Sequence, residues 1–187
     1  RGELVKATFA SYDTTPPGAQ AARDAVRSWA GSVYLARGDA APWLYLHGPN
    51  GNGKTHLAAA ATNGLTGENI ATVFTTYPEL LGLVSRNGYQ DQESAIAVLQ
   101  QVPVLIIDDL RAEDLTNDWK LTVLFRILDA RYVSRAATLI VSNLPVAGQQ
   151  REPCIADFEP RIASRLQDRR VCRIFTHTAP DYRKAQH

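Results

Sequence analysis

Gly48-Pro49-Asn50-Gly51-Asn52-Gly53-Lys54-Thr55 satisfies the pattern G-x-x-x-x-G-K-[ST]. Glycines at this spacing let successive backbone N–H groups converge on phosphate oxygens, and a helix starting at the loop's end adds partial positive charge. Lys54 is then placed to reach the β- and γ-phosphates of a nucleoside triphosphate, and the Thr55 hydroxyl to ligate Mg2+. His56 is the last residue of this candidate cofactor-binding run, although inside the helix its simplest role is structural. A phosphate loop of this kind needs a second acid to complete the metal's shell. Downstream, "VLIIDDL" ends an apolar run in two carboxylates. Asp108 is expected to hold Mg2+ through water, and Asp109 to polarise the attacking water. Asn143 closes another apolar run in "VSN". A neutral amide there can hold the lytic water or the γ-phosphate without adding charge, or can simply favour a turn. In "EPRIASRLQDRR", Arg161 and Arg165 stand at i, i+4 and share one helix face, as a solvated charged face or as phosphate-directed arginines.

These residues are useful only if regular elements position them. "WLYLH" reads as a strand directly before the phosphate loop, and "KTHLAAAATNGL" as the helix after it. Further strands are expected over 70–76, 102–110, 137–143 and 169–176. The run 102–110 is apolar enough to be buried on both faces. Helices are expected in "AQAARDAVRSWA", where Ala22, Val26 and Trp29 share a face, and in "YPELLGLVSRNG", with Pro78 in the first turn and Gly88 terminating it. Two more follow: "DQESAIAVLQQ", and "TNDWKLTVLFRILDARYVSR" with Thr116 as N-cap and Trp119, Val123, Ile127 and Tyr132 in helical rhythm. Pro160 is expected to open a last helix. Alternating strands and helices predict an α/β fold with a parallel sheet between helices, and ligands beyond the carboxyl ends of its strands.

The 187 residues, 45% of them hydrophobic, suit one domain with one sizeable core. It divides into an N-terminal strap and helix (1–40), a core (41–176) and a tail (177–187). A net charge of +1 excludes wholesale basicity, so any nucleic-acid contact must come from a local patch. Cys154 and Cys172 lack the company a zinc site needs and read as thiols in a reducing compartment. No apolar run is long enough to span a membrane, and a cytoplasmic location is expected. The chain contains no methionine, so a longer gene product with a preceding domain is expected.

Taken together and in order, "GNGKTHLAAAATN", "TTYPELL", "IIDDLRAEDLTNDWK", "LFRILDARY", "LIVSNLP", "RIASRL" and "DYR" resemble the AAA+ ATPases of the DnaC/DnaI helicase-loader group, to which IstB and DnaA are related. The likeness runs from about Phe9 to Arg183. It implies a P-loop NTPase sheet of five parallel strands in the order 5-1-4-3-2, with little or no helical lid. It places Asn143 at sensor 1, Arg165 at the arginine finger with Arg161 as its competitor, and Arg183 at sensor 2. It implies ATP and Mg2+ as cofactors and slow hydrolysis, because Asp109 stands where many AAA+ proteins have the longer glutamate. A finger acting in trans implies self-association through the ATP site. The implied partners are a DnaB-type replicative helicase and single-stranded DNA, with the helicase-binding domain outside this chain. An IstB-like transposition helper and a non-hydrolysing ATP switch or adaptor are the alternatives.

For DNA, Lys120, Arg126, Arg131 and Arg135 are candidates for one surface, with Trp119 and Phe125 to stack on bases. The same residues also fit a solvated basic face over core aromatics. Phe9 and Tyr12 are candidates for contact with the nucleotide base.

Overall fold

The computed structural model describes residue 2 and residues 4–37, 41–85, 89–148 and 153–182. Along the chain the elements are α1 (Ala19–Leu35), β1 (Trp43–His47), α2 (Lys54–Gly67), β2 (Thr72–Thr76), α3 (Tyr77–Val84) and α4 (Tyr89–Gln101). Then follow β3 (Val104–Leu110), α5 (Asp118–Ser134), β4 (Ala137–Ser142), α6 (Ile155–Phe158), α7 (Pro160–Gln167) and β5 (Cys172–Thr176). All strand pairs are parallel and the order is β5-β1-β4-β3-β2, as the resemblance implied. The described tail beyond β5 contains no helix.

The alternation of side chains along the central strands builds two cores. Val104 and Ile106 of β3, Leu44 and Leu46 of β1, and Leu139 and Val141 of β4 face α1 and α2. Leu105 and Ile107, Trp43 and Tyr45, and Ile140 face α3, α4, α5 and α7. Each fully buried side chain of this size contributes roughly 1.5–3 kcal/mol, so the sheet is the stiff layer on which the strand ends are carried. The alanines of α2 divide between two contacts. Ala58 and Ala61 meet the sheet-side core, whereas Ala59 and Ala60 meet Ala7 of the N-terminal strap. Asn63, on the same helix, donates to the carbonyls of Leu4, Val5 and Ala7 at 3.0, 3.2 and 2.9 Å. Small side chains are therefore needed on both sides of the helix that follows the phosphate loop.

Several expected boundaries move for local reasons. Val102 still closes α4 through its N–H to Val98 O, and Pro103 has no N–H to give a ladder, so β3 begins at Val104. Residues 169–171 form a turn in which Val171 and Cys172 both donate to Asp168 O at 2.9 Å, so β5 begins at Cys172. The N-cap of α5 is Asn117, not Thr116: Asn117 Oδ1 accepts from Lys120 N at 3.1 Å, while the Thr116 hydroxyl donates back to Glu113 O. Trp119 lies in the first turn of α5 and is 40% exposed, outside the buried stripe of Val123 and Ile127. Gly88 lies outside the described residues.

Arg131 departs furthest from expectation. Read as a DNA-facing basic residue, it is instead completely buried beneath the sheet. Its guanidinium donates to Leu99 O (3.0 Å) and Val102 O (2.7 Å) at the end of α4, to Ala137 O (2.6 Å), and to the Thr138 hydroxyl (3.0 Å). The acceptors are carbonyls at a helix C-terminus and a strand start, which would otherwise be buried without donors. Burial pushes its pKa down to about 10, which leaves it charged at neutral pH. Arg131→Ala is expected to lower stability by about 3 kcal/mol, since several buried carbonyls lose their donor at once. A urea denaturation should show a lower midpoint with an unchanged slope.

Candidate nucleotide-binding site

The carboxyl ends of β1, β3 and β4 open into a cleft of about 850 Å3 lined by the phosphate loop, Asp108, Asp109 and Asn143. A second cavity of about 810 Å3, between α1, α7 and β5, has no carboxylate among its lining residues. The phosphate chemistry belongs to the first. There Gly53 caps α2 with φ +88 and no side-chain cap, leaving first-turn N–H groups for an anion. Lys54 lies almost buried, its ammonium donating to Gly48 O (2.8 Å), Pro49 O (2.7 Å) and Asn52 Oδ1 (3.1 Å). Burial lowers its pKa to about 8, against the raising fields of Asp108 and Asp109.

The loop is braced from behind by both ends of the described chain. Asn52 is fully buried and donates through Nδ2 to His177 O at 3.0 Å. The Tyr12 hydroxyl donates to Asn52 O at 3.1 Å and lies 2.8 Å from His177 Nε2. Because His177 Nδ1 accepts from Ala179 N at 3.3 Å, the network assigns the ring hydrogen to Nε2, and the imidazole is neutral. Burial pushes the His177 pKa down to about 4, assisted by the field of Lys54. Tyr182 N donates to Gly51 O at 3.0 Å, and the Tyr182 hydroxyl to Asp13 O. Gly51 and Gly53 have positive φ. A Cβ on Gly53 would also come within 2.7 Å of the hydrogen-bonded Tyr12 ring, whereas one on Gly51 would meet the end of the Asp181 side chain, so at Gly51 the positive φ is what calls for glycine.

Across the cleft, Asp108 is 2% exposed, and its Oδ1 has no hydrogen-bond partner among the described residues. Burial raises the Asp108 carboxyl, and the facing Thr55 hydroxyl opposes this. A buried carboxylate oxygen without a donor, beside a threonine hydroxyl, fits Mg2+, which takes one or two protein oxygens and completes its octahedron with phosphate and water. Asp109 sits in a β-bulge. Ile107 faces Ile140 and Leu110 faces Ser142, so β3 carries one extra residue there. The Ser142 hydroxyl fastens the bulge by donating to Leu110 O at 2.7 Å. Asp109 itself has φ +61, a region that aspartate tolerates better than most residues. Both its oxygens are taken by Arg111, through Nε at 2.7 Å and Nη2 at 2.6 Å.

The remaining candidates are distributed as follows. Asn143 is exposed at the end of β4 and lines the cleft. Arg161 and Arg165 lie on α7 and do not line it. Arg165 is paired with Asp129, Arg161 with Glu159, and both guanidinium groups cover the Phe125 ring at 4.7 and 4.0 Å from its centroid. Arg183 lies outside the described residues. His56 bonds the strap, with Nε2 at 3.2 Å from Ser11 Oγ and 3.1 Å from Thr8 O. Tyr12 braces the loop, and Phe9 packs beside both the sheet-side core and the alanines of α2. Of the DNA candidates besides Arg131, Arg126 binds Glu93, Lys120 is 4.0 Å from Asp114, and Arg135 lies over Tyr132. Sequence reasoning missed His177, Ser142 and Arg111. Only Arg111, two residues from an acid at a strand end, left a local signal.

Between about pH 4 and 6.5 the unfolded chain binds a proton at His177 that the folded chain does not. Stability is therefore complete above that window and falls as pH drops through it, by up to about 3 kcal/mol at its lower end. Thermal melts of wild type and His177→Gln from pH 7 to 4 should differ by this slope: the variant starts less stable and loses less.

Among the described residues no helix is long and apolar enough to cross a membrane. A protein of Sinorhizobium fredii described as an insertion sequence ATP-binding protein is 38% identical over 118 residues, which are 62% of this chain and 38% of that protein. The replicative helicase loader DnaI of Bacillus subtilis is 31% identical over 143 residues, 75% of this chain and 45% of that protein. The chain thus spans less than half the length of these curated relatives. The crystal structure of a DnaI superposes with a TM-score of 0.72 at 26% identity, covering 97% of this chain and 93% of that one. The fold is that of the AAA+ P-loop NTPases. Residues 4–186 match the family of IstB-like ATP binding proteins, and a phosphate loop facing a buried strand-end carboxylate is the site that description calls for: the chain belongs to that family.

Proposed function

We propose that the chain binds ATP with Mg2+, hydrolyses it slowly, and serves as the motor of a loader that places a DnaB-type hexameric helicase on single-stranded DNA. The observation that carries the nucleotide reading is the buried Asp108 oxygen beside Thr55 and Lys54, which has no hydrogen-bond partner among the described residues. In this reading the N–H groups of the loop and first turn of α2 bind the β- and γ-phosphates. Lys54 exchanges its three oxygen acceptors for phosphate oxygens and stabilises the charge that develops as the β–γ bridging bond breaks. Thr55 and Asp108 would hold Mg2+, which would supply positive charge to the triphosphate. Asp109 orients the water that attacks the γ-phosphorus in line and accepts its hydrogen bond, while Asn143 fixes that water from the β4 side. The products are ADP and phosphate. Arg165, with Arg161 as its competitor, acts on the γ-phosphate bound by a neighbouring copy, so ATP binding and self-association are linked.

The loader reading is supported by the likeness to DnaI over three quarters of the chain. The insertion-sequence relative and the family match favour a second reading, a helper ATPase that stimulates a transposase on duplex DNA. Lys54→Ala is expected to abolish binding in a fluorescent-ATP titration while circular dichroism stays unchanged; retained affinity would overturn the nucleotide assignment. A pull-down from the source cell with the full-length product and a slowly hydrolysed ATP analogue separates the two partners. A hexameric helicase should be recovered, whereas recovery of a transposase in its place rejects the loader reading for the helper.

A further inference from the structure

The pair between Asp109 and Arg111 closes the site against its own chemistry. Asp109 can orient water through either oxygen, yet each already accepts from one guanidinium at 2.7 and 2.6 Å, which leaves only the second lone pairs for water and draws negative charge away from them. The two side chains line the same cleft as Lys54, Asp108 and Asn143. We propose that Arg111 is a latch in cis: with nucleotide bound as without it, it holds Asp109 away from water, and it frees the carboxylate only when the guanidinium swings toward Glu113 and Asp114. Arg111 is thus a positioning residue acting through Asp109, and the inference rests on the hydrolytic reading above.

Three features make the pair releasable. It is solvated, with the Arg111 and Asp109 side chains 55% and 39% exposed, and pairs of this kind are weak. Arg111 has an alternative field close by, since Glu113 and Asp114 of the following 3-10 turn also act on it. Its backbone is extended (φ −122, ψ 162), so the latch opens by side-chain rotation alone. By contrast Asp109 is held by the bulge and its positive φ, with Leu110 pinned to Ser142 just behind it. The carboxylate stays in place while the arginine moves.

The test is steady-state phosphate release and fluorescent-nucleotide titration on wild type, Arg111→Ala, Arg111→Lys, Asp109→Asn and the double variant Arg111→Ala/Asp109→Asn. A latch predicts that Arg111→Ala raises kcat about fivefold, the factor that loss of an exposed ion pair allows, with KM and nucleotide affinity unchanged. Arg111→Lys, which cannot grip both oxygens, should fall between wild type and Arg111→Ala. The double variant should be as slow as Asp109→Asn. A lower kcat or weaker nucleotide binding in Arg111→Ala makes Arg111 a phosphate ligand and overturns the latch, as does a rate gain that persists without Asp109. Turnover in wild type with no gain in Arg111→Ala rejects the latch alone. Nucleotide binding without turnover in both rejects the hydrolytic reading and the latch with it.

Discussion

Asn52 is the point about which the phosphate loop is organised. Its Oδ1 accepts the Lys54 ammonium, its Nδ2 donates to His177 O, and its own carbonyl accepts the Tyr12 hydroxyl. A loop of three glycines is too free to hold a phosphate-shaped curve by itself, and these three bonds fix it from inside, from the tail and from the strap. The helix behind the loop can lie close to both sheet and strap because its buried side chains are mostly alanine. The cleft is therefore preformed, and phosphate binding need not be offset by ordering of the loop.

The acidic side of the cleft follows a different logic. β3 is pinned in the middle of the sheet by neighbours on both edges, and the extra residue at its end turns Asp108 and Asp109 to different environments. Asp108 is buried with an unmet oxygen, whereas Asp109 is half exposed and paired. Two adjacent carboxylates thereby acquire separate environments from backbone geometry rather than from residue type. The same geometry accounts for aspartate in the second place. At φ +61 a short side chain that can bond locally is better tolerated than glutamate.

Features written in contiguous residues were legible in the sequence. The loop, the acid pair, Asn143 at a strand end, the five strands and the prolines that open α3 and α7 all depend on local pattern, and the strand order followed from resemblance to a known fold. What could not be read depends on contacts across the chain or on burial that charge conceals. Arg131 has the spacing of a surface helix residue, and only the convergence of α4 and β4 shows that it serves buried carbonyls. Arg165 shares its helix face with Arg161 as expected, but Asp129, which holds it, comes from another helix. Thr116 and Asn117 are both good caps, and the 3-10 turn before them decides between the two. His177 carries no motif at all, since its role exists only where the tail meets Tyr12.

That meeting joins residues 165 positions apart, which has a consequence for the order of events during synthesis. The sheet can begin to assemble once β1 to β4 have emerged, but the loop's rear brace waits for the residues after β5. Contacts of such long sequence separation form late, after the local and sheet contacts that bring them within reach. A ribosome that has delivered the whole phosphate loop has therefore not yet delivered a nucleotide site. Chains broken off before residue 177 would carry the motif without its support, so competence to hold a triphosphate reports that translation has passed the last strand.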